Sequence, residues 1–154
     1  MTSAAQFFEF VSCLVESDSA IICRWSEDRL KAIFPKMENS GFDIEVTYDP
    51  TSETLNLQTD HGYHDHFHIN QFESFSVALS NVFGLVRDLL SPNMRIVETL
   101  ANGKPRKWQL QALVNGNWAT EANVGLLFWN VFGKKTTVEY INHVLPPREF
   151  NCGA

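Results

Sequence analysis

The hydrophobic pattern changes its period along the chain, and each period predicts a different element. Near the start, apolar residues recur at spacings of three and four. These residues are Phe7, Phe8, Val11, Leu14 and Val15. The spacing gathers them on one side of a helix, which we predict over residues 4–16 with Ser3 as its N-cap.

A second helix is predicted over residues 26–41, in the segment SEDRLKAIFPKMENSG. Glu27 and Asp28 suit the positive end of a helix dipole, and Gly41 suits the position after a helix end. Pro35 lacks an N–H donor, so a kink or an early end is expected there. The preceding run SAIICRW is β-prone and predicts either a strand or part of an irregular connection.

Residues 42–59 alternate between apolar and polar positions, which predicts an antiparallel hairpin. FDIEVTY forms the first strand, DPTS supplies the turn, and Leu55 and Leu57 are the apolar pair of the return strand. We predict that Tyr48 lies opposite Glu53, so that the apolar residues of both strands share one face. The other face is polar and carries Asp43, Glu45, Asn56 and Gln58.

A third strand is predicted from Tyr63 to Ile69, because HGYHDHFHIN continues the alternation. Tyr63, Asp65, Phe67 and Ile69 fall on one face, and His64, His66 and His68 on the other. The segment FESFSVALSNVFGLVRDLL then predicts the longest helix, which Ser91-Pro92 ends.

The C-terminal third predicts a meander of strands. Two Asn-Gly pairs, at 102–103 and 115–116, lie between β-capable segments, and Asn-Gly favours a tight hairpin turn. TTVEYINHV is predicted as the last strand. Residues 120–132 fit two structures: helical spacing with Thr120 as a cap favours a helix, and a buried strand is the alternative.

These elements predict an α+β fold over residues 1–154 as a single domain. We expect a largely antiparallel sheet packed against one long helix, with N-terminal helices. A chain of this length buries enough surface to form a core without disulfides or metals.

The charge is unevenly distributed and changes the picture of possible partners. The net charge is −6, and no Lys or Arg occurs between Lys36 and Arg87. This acidic half repels phosphate backbones, so we predict no direct nucleic-acid binding. It suits a basic protein or a cation, although such a charge also serves solubility alone.

Location is predicted from what the sequence lacks. The three cysteines are scattered and have no C-x-x-C spacing, which favours a reducing compartment. No basic leader precedes the first apolar stretch, and no apolar run approaches 20 residues. We therefore predict a cytoplasmic protein that is not bound to membranes.

The histidine-rich strand is the candidate for chemistry. Alternate imidazoles at His64, His66 and His68 can chelate a divalent ion, with Asp60, Glu73 or His143 as a fourth ligand. Asp65 points to the opposite face and cannot orient these rings, so a polar, partner-facing strand is the favoured interpretation. No nucleophile elbow or glycine-rich phosphate loop is found, so we predict no enzyme and no cofactor beyond a possible divalent metal.

The segments DHGYHDHF, LLSPNMRIVE, GLLFWNVFGKK and NHVLPPR together resemble small bacterial immunity proteins of polymorphic toxin systems, over roughly residues 42–148. The resemblance implies a cytoplasmic binding module that neutralises a cognate protein toxin by covering its active site or substrate entrance. It transfers no residue roles, because immunity surfaces diverge with their toxins.

On this hypothesis the toxin-binding surface is the polar face of the hairpin and its continuation. Its residues are Asp43, Glu45, Asn56, Gln58, Asp60, His64, His66 and His68. The alternatives are a metal-binding domain or metal-dependent enzyme centred on the three histidines, and a small-ligand binder with a pocket between the sheet and the long helix. The oligomeric state stays open.

Overall fold

The structure of the chain is a computed structural model that describes residues 1–124 and 133–148. Its helices are α1 (Ser3–Ser17) and α2 (Phe75–Leu90), with a short 3₁₀ turn at Ile69–Gln71. Its strands are β1 (Arg24–Trp25), β2 (Lys31–Phe34), β3 (Ile44–Asp49), β4 (Thr54–Thr59), β5 (His64–His68), β6 (Met94–Ala101), β7 (Lys104–Val114), β8 (Asn117–Val124) and β9 (Lys135–Tyr140).

The strands of this part of the chain form two antiparallel sheets. The N-terminal sheet has the order β1-β2-β3-β4-β5, and the C-terminal sheet the order β8-β7-β6-β9. One hydrophobic core contains side chains from α1, α2 and both sheets. The predicted α+β class is therefore confirmed. The finer expectation of one sheet against one long helix is not, because two sheets share the core and α1 and α2 have nearly equal lengths of 15 and 16 residues.

The first predicted helix is confirmed, with its cap one residue earlier than expected. The hydroxyl of Thr2 accepts a hydrogen bond from the N–H of Ala5 at 3.3 Å, so Thr2 rather than Ser3 is the N-cap. Phe7, Val11 and Leu14 are buried, as their spacing predicts. Neither α1 nor any other helix within residues 1–124 and 133–148 is long and apolar enough to cross a membrane.

The second predicted helix, over residues 26–41, is wrong. The chain instead forms β2, in which Ala32 and Phe34 are buried and pair with Val46 and Ile44 of β3. The carboxylate of Asp28 accepts hydrogen bonds from nearby Ser26 and Leu30, so these residues cap a tight turn rather than a helix. Short polar side chains stabilise turns and helix N-termini by the same local hydrogen bonds, which explains the error.

The predicted hairpin is confirmed, but its strands are shifted relative to the expected register. Tyr48 pairs with Leu55 and not with Glu53, and the turn lies between Asp49 and Thr54. Hydrogen bonds from Ser52 and Thr51 to the Asp49 carboxylate close this turn and hold the pKa of Asp49 below its usual range. The shift moves each partner by two positions, so every side chain keeps its predicted face.

The predicted meander is confirmed for β6, β7 and β8, whereas the last strand, β9, pairs with β6 instead of β8. Both Asn-Gly pairs form tight turns with positive φ at both residues, at Asn102-Gly103 and Asn115-Gly116. The helix favoured over residues 120–132 is wrong for its first part, because β8 continues to Val124. The rest of that prediction, residues 125–132, lies outside the described residues.

The turn between β4 and β5 packs on the C-terminal sheet. Gly62 has a φ of +83° and lies against the indole ring of Trp108, where a Cβ would be 2.5 Å from the ring. The ring of His61 stacks on Tyr140, with centroids 3.6 Å apart and an angle of 12° between the planes. These contacts attach one end of the N-terminal sheet to β7 and β9.

Candidate functional site

The predicted surface residues lie on one face of the N-terminal sheet, which we call the outer face. In the observed register Glu45 pairs with Gln58, and Gln58 with His64. The next rows along the sheet pair Asn56 with His66, and Thr54 with His68. Directly paired residues share a face, so all the side chains of these rows lie on the outer face.

The opposite face of the same strands is buried against the helices. Val46, Leu55 and Leu57 have no exposed surface. The ring of Phe7 in α1 contacts Tyr48 of this inner face, with centroids 6.2 Å apart. Alternation along β3 and β4 therefore points Glu45, Asn56 and Gln58 away from the core.

Glu45 lies near the centre of the outer face and already has partners. Lys31 Nζ is 2.9 Å from its Oε1, and Gln58 Nε2 donates to the same oxygen at 2.8 Å. The Glu45 side chain is 22% exposed. The outer face is thus a hydrogen-bonded polar surface in which a lysine neutralises the central carboxylate, rather than a uniformly acidic patch.

Asp43 and Asp60 lie at one end of this face, where they hold the loops together. Asp60 Oδ1 accepts from the N–H of Asp43 at 2.9 Å, and Asp43 Oδ1 accepts from the N–H of Lys36 at 2.8 Å. The Lys36 ammonium is 3.5 Å from Asp60 Oδ2. Substituting either aspartate would therefore disturb the sheet end as well as the surface.

The three histidines of β5 are exposed, and two of them have an oriented ring. Nδ1 of His66 is hydrogen-bonded to the side-chain oxygen of Asn56, and Nδ1 of His64 lies 3.4 Å from the carbonyl oxygen of Gly62. Because both partners are oxygen acceptors, Nδ1 donates in each ring and Nε2 remains to meet another group. The ring centroids of His64 and His66 are 5.9 Å apart.

Metal coordination by the histidine row lacks a third ligand in this arrangement. Within residues 1–124 and 133–148, no group of three or more His, Cys, Asp or Glu side chains is placed to hold a metal ion. Of the three residues proposed from the sequence as a fourth ligand, Asp60 is hydrogen-bonded at the end of the sheet, and Glu73 is exposed in the segment before α2. His143 lies in the tail after β9.

A cavity that the residue patterns did not locate lies on the other side of β5. It has a volume of about 390 Å³ and is bounded by β5, α2, β7 and β8. Tyr63 and Asp65 contribute to its lining. A carboxylate among the apolar, inward-facing positions of β5 was the one sequence feature that pointed to it, since such positions are normally apolar.

Comparison of the chain with protein-family models, with curated proteins and with solved structures found no match.

Proposed function

We propose that the chain is a protein-binding module of the immunity type, which neutralises a cognate toxin by covering its active site or substrate entrance. The observation that supports this proposal is the alignment of Glu45, Gln58 and His64 in one row, with Asn56 and His66 beside it, on a face turned away from the core. The partner would meet rigid strands that carry hydrogen-bond donors and acceptors.

The size of the outer face limits how a partner can dock. Five strands about 4.8 Å apart, each up to six residues long, give a projected area of at most roughly 20 by 20 Å. A stable interface buries about 800 Å² on each partner. A bound toxin would therefore extend beyond the face and cover one of its borders as well.

The proposed electrostatics differ from a simple acidic contact. Since Lys31 neutralises Glu45, attraction of a basic toxin would come from the whole lysine- and arginine-free stretch between Lys36 and Arg87. Such long-range attraction raises the association rate more than the affinity. Specific contacts would come from the amides and imidazoles of the face, which supply directional hydrogen bonds.

The test is capture of a partner with matched histidine variants. Purified wild-type protein, a double variant His64→Ala/His66→Ala, and the control His143→Ala would each be used as bait in lysate of the source cells. His143 is exposed and lies in the tail outside the N-terminal sheet. We expect one protein that binds the wild type and the control and is lost with the double variant.

The captured protein must then behave as a toxin. Its expression alone should stop cell growth, and co-expression with the wild type or His143→Ala should restore growth. The double variant should bind at least 10-fold more weakly and protect poorly. A captured protein that is harmless would refute the immunity function. A captured toxin that binds the double variant with unchanged affinity would refute the assigned face.

A metal-binding domain or metal-dependent enzyme is the second candidate, and the fixed rings of His64 and His66 favour it. Metal-bound histidines normally donate their other ring N–H to an oxygen acceptor, as both rings do. Elemental analysis of untagged, dialysed protein would test it. About one transition metal per chain, lost with His64→Ala and kept with His143→Ala, would replace the binding-module proposal.

A further inference from the structure

The cavity behind β5 exists because α2 covers only part of the C-terminal sheet. Side chains of β6 such as Ile96 are fully buried in the core shared with α2. On β7 and β8 the residues that face the same side include Ala112 and Ala122, which are too small to fill the remaining space. Leu85, Ala112 and Ala122 form part of an apolar wall that is only half-buried.

The charged residues that line this cavity are acidic, and one of them, Asp88, is paired with Arg148 from outside the lining. Asp65, Asp88 and Glu121 contribute to the lining, and the described residues that line the cavity include no Lys or Arg. Burial raises the pKa of Asp88, and the nearby Arg148 opposes that rise, with its Nη1 3.2 Å from Asp88 Oδ1. Arg148 lines a neighbouring pocket with Asp88 and not this cavity, so Asp65 and Glu121 are the lining carboxylates that a further guanidinium group would meet.

We propose that the cavity receives an arginine side chain of the protein partner, an inference that rests on the proposed function and adds the chemistry of its anchor residue. The aliphatic stem of the arginine contacts the apolar wall, and the guanidinium group meets the carboxylates at the rim. The volume of about 390 Å³ lies near the lower end of the range for ligand pockets, about 300–1,000 Å³, and suits a single long side chain.

The position of β5 connects this cavity with the outer face. His64 and His66 project from the outer face, whereas Asp65 of the same strand and Tyr63, the residue before it, line the cavity on the other side. A toxin that extends past the β5 border of the outer face would therefore reach the cavity opening.

The edge of β5 favours insertion of a side chain over addition of a strand. The C=O of Tyr63 accepts from the N–H of Thr59, and the N–H of Ile69 donates to the C=O of Glu53. In an antiparallel pair this pattern points the N–H of His66 to the opposite, open side of β5. The Asp65 carboxylate accepts from this N–H at 2.8 Å. A partner strand would have to displace that hydrogen bond, whereas a cationic side chain would gain from the same carboxylate.

The chemistry is tested first with small probes. The ¹⁵N-labelled protein would be titrated with n-butylguanidinium, with the neutral isostere n-butylurea, and with guanidinium ion, and its amide shifts recorded by NMR. We expect n-butylguanidinium to bind with a millimolar Kd and to shift the amides of Ala112 and Ala122. The urea and the ion without a stem should bind at least 10-fold more weakly.

Two variants with matched controls locate the binding. Ala122→Leu fills the cavity and should abolish the shifts, whereas Ala20→Leu, at an exposed position outside it, should not. Glu121→Gln removes one rim charge and should weaken binding by about threefold, whereas Glu53→Gln in the β3–β4 turn should have no effect. Unchanged spectra elsewhere establish that each variant folds.

The partner gives the decisive measurement. Ala122→Leu should lower the affinity for the captured toxin at least 10-fold, and Ala20→Leu should leave it unchanged. Equal binding of butylguanidinium and butylurea, no binding of either, or an unchanged toxin affinity in Ala122→Leu would each overturn the proposal. If Ala122→Leu binds the toxin normally but His64→Ala/His66→Ala does not, the arginine proposal is wrong and the proposed function is still supported.

Discussion

Asn142 is the buried polar residue whose removal should be most damaging to the fold. It follows β9 and is 3% exposed. Its Oδ1 accepts from the N–H of Phe42 at 3.1 Å, and its Nδ2 donates to the carbonyl oxygens of Phe42 at 3.0 Å and Leu89 at 3.1 Å. One side chain thus joins the segment before β3, the last turn of α2 and the segment after β9.

The expected loss follows from the main-chain groups that Asn142→Ala leaves without partners. These are the N–H and C=O of Phe42 and the C=O of Leu89, in a region that the core surrounds. An unpaired buried polar group costs about 1–3 kcal/mol, and entry of a water molecule into the vacated space recovers part of it. We therefore expect the free energy of unfolding to fall by about 3–5 kcal/mol, a large share of the roughly 5–15 kcal/mol of a typical domain.

Urea unfolding at neutral pH, followed by circular dichroism, measures this loss. His143→Ala is the matched control, because His143 is adjacent and exposed, and it should change stability by less than about 0.5 kcal/mol. Asn142→Asp should also destabilise, since it keeps an acceptor for Phe42 but places negative charge against two carbonyl oxygens. Amide exchange at Phe42 should accelerate in both Asn142 variants. A loss below about 1 kcal/mol in Asn142→Ala, with an unchanged urea dependence, would refute the assigned hydrogen bonds.

Three further predictions concern other buried or half-buried groups. Burial, followed by the charge of a neighbouring carboxylate, raises the pKa of Tyr63 to about 12. The folded state therefore retains this proton longer than the unfolded state, and stability is lost as pH rises from about 10 to 12. Between pH 9 and pH 11 the free energy of unfolding should fall by about 1 kcal/mol less in Tyr63→Phe than in the wild type. An equal fall in both proteins would contradict the burial of Tyr63. Burial also raises the pKa of Cys23 to about 11, so iodoacetamide at pH 8 should modify the exposed Cys13 far faster than Cys23. Peptide mass spectrometry measures both rates, and similar rates would contradict the prediction. Gly62→Ala should lower the free energy of unfolding in urea by about 2–4 kcal/mol, because the residue has a positive φ and contacts the indole ring. Gly103→Ala should lower it by only about 1 kcal/mol, because Gly103 has a positive φ but open space around it. Equal losses would argue against the packed turn at Gly62.

The candidate site could be predicted in its composition but not in its energetics. Alternation along β3, β4 and β5 assigns Glu45, Gln58 and His66 to one face whatever the rest of the chain does, because successive side chains of a strand point to opposite sides. The sequence does not reveal that Lys31 neutralises Glu45, since that contact requires β2 to lie beside β3. Asp65 marks one wall of the cavity in the sequence, but the other walls could not be predicted for the same reason, because they come from elements far apart in the chain.

Local periodicity and turn chemistry were enough to determine the two helices, the first hairpin, the histidine strand and both Asn-Gly turns. In each case neighbouring residues alone set the backbone conformation or the apolar side. Tertiary structure decided whether residues 31–34 became strand or helix, because Ala32 and Phe34 are stabilised by pairing with β3 and burial in the core rather than by their own propensity. It also decided that the strands divide into two sheets and that β7 and β8 keep an open acidic cavity, because both depend on where α2 packs.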